Sequence, residues 1–231
     1  MVANFIILFF LISYPIFTSI VAKRKTDSNM KNHFSYYFKD ILFSLILLSV
    51  IYFLNPSIYE RLDFRIIGKG IIISEEWVSV ILPVFFIPFF LSFTTWNNYK
   101  SRGSELLGYP TYLLPNNKKE HLLFTIYIII GVVFEELFCR QFMFYSFSEI
   151  LKLRGDTILL ISSFLFAFGH LYQGWKGVLI TFIFSLIWGK IFQVKENILY
   201  PIILHLFLNL TVVVLAFKRL RTLKNNTFNS T

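Results

Sequence analysis

The sequence predicts an all-α fold, a polytopic membrane helix bundle of about seven transmembrane helices, and three observations carry that prediction. Hydrophobic residues make up 56% of the 231-residue chain and charged residues 15%, with a mean hydropathy of +0.65. Such a composition belongs to chains whose solvent is largely lipid. Apolar runs recur along the chain at lengths close to the roughly 20 residues that a helix needs to cross the hydrocarbon. The basic residues lie in short clusters between those runs. A net charge of +9 is therefore a topology signal, and nucleic acid is not an expected partner, because no polar face gathers the charge.

Residues 4–22 form the first run, with no basic residue before it and Lys23, Arg24 and Lys25 after it. This order reverses that of a cleavable signal peptide and predicts an anchor with its N-terminus outside. The second run starts at 34 or 41 and stops at Leu54, before Asn55-Pro56. Residues 57–76 are mixed in charge and suit a loop with a short piece at the membrane surface. In the third run, 77–96, a tryptophan stands at each end like an interfacial anchor, and Pro83 and Pro88 predict a kink. Residues 97–120 are polar, with a turn signal at Gly108-Tyr109-Pro110.

The fourth run, 121–148, is longer than a bilayer requires and is expected to tilt or project. After a connector at 151–156 come a fifth run at 157–171, a sixth at 174–192 and a seventh at 198–217. Residues 1–217 thus read as one transmembrane domain, with residues 218–231 as a polar, disordered cytoplasmic tail. With this topology the cytoplasmic side receives about twice as many Lys and Arg residues as the outer side, as the positive-inside rule predicts. The Phe-rich, Lys- and Asn-containing composition fits an integral protein of a bacterial cell membrane.

Glu135, Glu136 and Arg140 interrupt the fourth run. Each charge at the centre of a membrane helix costs roughly 2.5–3.5 kcal/mol, so these three are expected to face protein or trapped water. Glu136 and Arg140 stand four apart, acid before base, and are expected to pair. Glu135 points about 100° away around the helix and is the less neutralised carboxylate, the condition a general base requires. A structural ion pair alone is the plainer reading, but one arginine does not satisfy two carboxylates on different faces.

Later runs hold further polar groups. Phe166 and His170 are four apart in the fifth, and His205 and Asn209 are four apart in the seventh, each pair on one helical face. Buried polar side chains in membrane helices face the bundle interior, and a set of this size is by default a functional site. Two other chemistries compete. Glu135, His170 and His205 are a ligand set that suits zinc, although no His-Glu-x-x-His helix is present. Cys139, the lone cysteine, follows Glu135 by four, yet no basic partner at helical spacing would lower its pKa.

Glu135-Glu136 with Arg140, then Phe166 with His170, then His205 with Asn209 resembles the three motifs of the CPBP family, which comprises CAAX prenyl proteases and bacteriocin-processing or bacteriocin-immunity proteins and is also called the Abi family. The match covers about residues 131–210, and the first 120 residues carry no diagnostic motif. The resemblance implies a glutamate-dependent intramembrane endopeptidase without metal or other cofactor, its catalytic half at about 120–217. It implies that Glu135 is the catalytic glutamate, that His170 helps to deprotonate water, and that His205 and Asn209 stabilise the oxyanion. Glu136 and Arg140 match supporting positions. The implied substrate is a small membrane-associated or secreted peptide or its precursor, entering from the membrane or the cytoplasmic side. Some relatives are immunity or regulatory proteins, so the alternative is a non-catalytic membrane protein that confers bacteriocin self-immunity or regulates a sensor by binding.

Overall fold

A computed structural model describes residue 13, residues 33–54, 105–106 and 109–110, and residues 113–228. The described chain is helical apart from one two-residue ladder: α1 (His33–Leu54), β1 (Glu105–Leu106), β2 (Tyr109–Pro110), α2 (Lys118–Glu136), a π-helical segment (Leu137–Phe142), α3 (Met143–Ile150), α4 (Asp156–Phe168), a 3₁₀ turn (Leu171–Gln173), α5 (Gly174–Lys195) and α6 (Leu199–Phe228). The strands pair antiparallel, Glu105 with Pro110 and Leu106 with Tyr109, at the turn signal of the sequence.

Four of the described stretches are long and apolar enough to cross a membrane: His33–Ile51, Lys118–Ile150, Leu171–Lys195 and Leu199–Thr222. The protein is an integral membrane protein. The expected first and third runs lie outside the described residues. The fifth expected run differs from its prediction, because α4 has 13 residues, about 20 Å of helix against about 30 Å of hydrocarbon. Its helix stops at Phe168, where Gly169 N–H turns to the carbonyls of Leu165 and Phe166 at 3.3 and 3.1 Å. The segment expected as a disordered tail is also different, since α6 continues through Lys218 and Arg219 to Phe228. Within this extension Arg219 Nη1 donates to Pro115 O at 2.9 Å.

Helix α2 begins three residues before the expected start of the fourth run, for a local reason. Asn117 Oδ1 accepts the Glu120 N–H at 2.9 Å, and Glu120 Oε2 accepts the Asn116 N–H at 2.8 Å. The two side chains satisfy amide groups that the helix start leaves over, much as a capping box does. From there α2, the π segment and α3 run on as one stretch of 33 residues, about 50 Å long, so it exceeds the bilayer as expected.

The described residues fall into two compact units. The first contains residues 44–54 and 133–203. In it α4 packs along α5, with Lys190 Nζ paired to Asp156 Oδ1 at 2.7 Å and Gln193 Nε2 donating to Gly155 O at 2.8 Å. The second contains residues 33–43, the described part of 105–132, and 204–228. Its core gathers Tyr37, Leu114, Phe124, Ile128, Val212, Val213, Leu215 and Ala216. Tyr37 donates to Leu113 O at 2.6 Å and packs against Phe124 with ring centroids 5.4 Å apart. His121 Nε2 donates to Val213 O at 3.0 Å, so that histidine holds α2 to α6.

These contacts make Tyr37 a packing residue with one polar tie. Tyr37→Phe is expected to lower stability by about 1 kcal/mol and Tyr37→Ala by about 3–5 kcal/mol, measured by thermal unfolding in detergent. Equal losses in the two variants would contradict this division.

Candidate active site

The first unit builds its polar centre on a local irregularity in the long helix. Leu137–Phe142 is π-helical, and the Met143 N–H reaches back to Phe138 O, five residues away. A π turn holds more residues per turn than an α turn and occurs often at functional sites. Here it carries Arg140 into the protein. Arg140 Nε donates to Glu136 Oε2 at 3.1 Å, and both side chains have no exposed area. The pairing expected from their spacing is therefore present and fully enclosed.

The rest of the guanidinium meets residues on other helices. Nη2 donates to Ser185 Oγ of α5 at 2.8 Å, and Cζ lies 5.6 Å from the centre of the Phe166 ring of α4. On α5, a Cβ added at Gly189 would lie 3.6 Å from Arg140 Nη1 and would overlap Leu159 Cδ1. Glycine at this position lets α5 approach both neighbours closely. Ser185 and Gly189 were not among the sequence candidates. The available signal was that they are small residues four apart in an apolar helix, the pattern that lets membrane helices pack closely.

Glu135 is half-buried, whereas Glu136 is fully enclosed. The adjacent carboxylates thus occupy different environments, one in the interior with Arg140 and one partly accessible. Cys139, in the π segment, is buried.

His170 lies just beyond α4, in the turn before the 3₁₀ residues, and is half-buried. The fifth run had been expected to carry it inside a helix. It still packs on Phe166, with ring centroids 4.8 Å apart, because the chain keeps near-helical geometry through Gly169. His170 Nδ1 lies 3.0 Å from Phe166 O. A carbonyl oxygen only accepts, so Nδ1 carries the proton and Nε2 is the basic nitrogen of the neutral ring. The bond also satisfies a carbonyl near the end of α4, where helices leave such acceptors over.

His205 and Asn209 belong to the second unit. They stand four apart on one face of α6, with His205 4% exposed and Asn209 half-buried. Glu135, Glu136, Arg140, Phe166 and His170 are all in the first unit. Among the described residues no group of three or more His, Cys, Asp or Glu side chains gathers as a metal site.

The family model of Rce1-like type II CAAX prenyl endopeptidases matches residues 117–211. Over that stretch the chain is similar to the Rce1-like family. No curated protein and no solved structure matches the chain. The Rce1-like stretch begins at the cap of α2 and ends within α6, so it includes every candidate residue from Glu135 to Asn209. The family is one of endopeptidases, and the resemblance supports a membrane protease at family level.

The enclosed ion pair has a measurable consequence. Arg140→Met leaves Glu136 buried without its cation and is expected to destabilise the protein by about 3–5 kcal/mol. The double variant Glu136→Leu/Arg140→Met is expected to recover most of that loss, because an apolar pair of similar volume avoids the desolvation penalty. Chemical unfolding in detergent would measure both, and a double variant as unstable as Arg140→Met would show that the charges themselves hold the helices.

Proposed function

We propose that this protein is a glutamate-dependent intramembrane endopeptidase that hydrolyses a peptide bond with activated water. The observation that carries the reading is the tether of His170, whose Nδ1 is committed to Phe166 O at 3.0 Å. Its Nε2 is then the nitrogen that can take a proton, on a half-buried ring in the stretch that matches an endopeptidase family. Glu135, the more accessible of the two glutamates, supplies the general base.

In this reading Glu135 and His170 orient a water and remove its proton as its oxygen attacks the scissile carbonyl. The carbonyl electrons move onto oxygen, and His205 and Asn209 donate to the oxyanion. Collapse breaks the carbon–nitrogen bond, and the proton held by Glu135 passes to the leaving amine. The supporting roles of Glu136 and Arg140 follow from their enclosed pair, which fixes the helical turn after Glu135. Residues 120–217 form the catalytic half of a single membrane domain. The substrate is a small membrane-associated or secreted peptide, or its precursor. We place the protein in a bacterial cell membrane with the N-terminus outside, the C-terminus in the cytoplasm, and the site opening to the cytoplasm.

Cleavage of prenylated and unprenylated peptide libraries by the purified protein in detergent tests this. Glu135→Gln and His170→Ala are each expected to lower kcat by about a hundredfold or more, with folding preserved and no effect of a chelator. Loss of activity with chelator would favour metal chemistry at Glu135, His170 and His205. A folded Glu135→Gln variant that retained the biological function would favour the binding alternative, self-immunity or sensor regulation without hydrolysis.

A further inference from the structure

His170 is held on more than one side. Phe166 packs against it at 4.8 Å with its plane tilted by 50°, and Phe166 O accepts the hydrogen bond from its Nδ1–H. Tyr172, in the following 3₁₀ turn, stacks on it with centroids 5.9 Å apart and planes within 29°. Tyr172 is itself fixed, since Gln173 Nε2 donates to its hydroxyl oxygen at 3.1 Å. Gln173 lies against the first turn of α5 at Gly177, where an added Cβ would overlap Gln173 Cβ and stand 3.0 Å from its Oε1. Gly174, with φ of +74°, supplies the left-handed backbone that joins the turn to α5.

From this chain of contacts, and resting on the hydrolytic reading above, we infer that Tyr172 is a positioning residue for His170, the histidine that assists the general base Glu135. Its ring and that of Phe166 pack against the imidazole while the Nδ1 edge is tied to backbone, so that Nε2 is presented in one orientation. Gln173 and the space at Gly177 keep Tyr172 in place. The arrangement has a chemical consequence as well as a geometric one. As His170 helps Glu135 to draw the proton from water, its ring gains positive character beside aromatic rings, whose faces attract positive charge. Tyr172 thus supports both the orientation of the ring and the charge that develops on it. Tyr172 makes no proton transfer itself in this scheme, so its ring matters and its acidity does not.

The test uses the full-length protein in detergent micelles, with ¹⁵N-labelled histidine, in the wild type, Tyr172→Phe, Tyr172→Leu and Gln173→Ala. Wild type is expected to show one sharp His170 resonance set of the Nδ1-protonated tautomer, and Tyr172→Phe, which keeps the ring and loses only the bond from Gln173, the same set with slight broadening. Tyr172→Leu should show exchange-broadened or mixed tautomers, and Gln173→Ala the same change to a smaller degree. In the peptidase assay Tyr172→Leu is expected to lose about tenfold in kcat with KM little changed, and Tyr172→Phe to lose no more than Gln173→Ala. If Tyr172→Leu misfolds, Gln173→Ala carries the comparison. A wild-type His170 signal in both Tyr172→Leu and Gln173→Ala overturns the positioning role, whatever happens to cleavage. An altered His170 signal beside a wild type that cleaves no peptide upholds the hold on the ring and overturns the hydrolytic reading instead.

Discussion

The arrangement of the first unit depends on one charged group, the Arg140 guanidinium, buried where the surrounding solvent is lipid. A cation without a partner in such a place is too expensive to keep. Its partner Glu136 comes from the same helix, and its remaining contacts come from Ser185 and Gly189 of α5 and from Phe166 of α4. Each of those neighbours constrains the helix that bears it. The close approach at Gly189 sets how near α5 lies to α4 and to the guanidinium, and Phe166 offers both its ring to Arg140 and its carbonyl to His170. One carbonyl and one ring therefore connect the ion pair to the histidine, so the pair governs geometry at a residue it does not touch.

Much of this was legible in the sequence, and the parts that were not have physical causes. The all-helical class, the long fourth span and the Glu136–Arg140 pairing follow from apolar run length and four-residue spacing, both of which are local properties. The extent of α4 was overestimated because apolar composition does not stop at a helix end. Gly169 and the His170 side chain terminate that helix through hydrogen bonds that hydropathy does not register. The early start of α2 was written in Asn117 and Glu120 as a cap, but the polarity of 97–120 masked it. The continuation of α6 past Phe217 was hidden because its polar and basic residues read as a solvated tail, whereas Arg219 is tied to Pro115 O. Four candidate spans stand among the described residues; of the other three expected, the first and third lie outside those residues and the fifth is the 13-residue α4.

The histidines show where sequence reasoning reaches its limit. His121 and His170 each donate to a backbone carbonyl, yet His121 does so through Nε2 and holds two helices together, whereas His170 does so through Nδ1 of a half-buried ring and keeps the opposite nitrogen basic. Residue type and periodicity treat the two alike. What separates them is which nitrogen is bonded and which element supplies the carbonyl, and that depends on backbone geometry at a helix end. Ser185 escaped notice for a similar reason: a serine in an apolar helix acquires significance only when a charge from another helix lies within hydrogen-bonding reach.

The π turn also makes the length of this segment a functional quantity. Leu137–Phe142 accommodates residues at a looser winding than the α-helices on either side. Deleting one residue there would return the segment to regular winding, with every backbone bond still made and no charged or polar group removed. The wide turn absorbs one extra residue, so the helix beyond it would keep nearly its present direction. The side chains inside the segment would be re-aimed instead, Arg140 among them, and the guanidinium would lose its register with Ser185 of α5. In this protein, spacing inside the turn aims the buried cation as much as residue identity does.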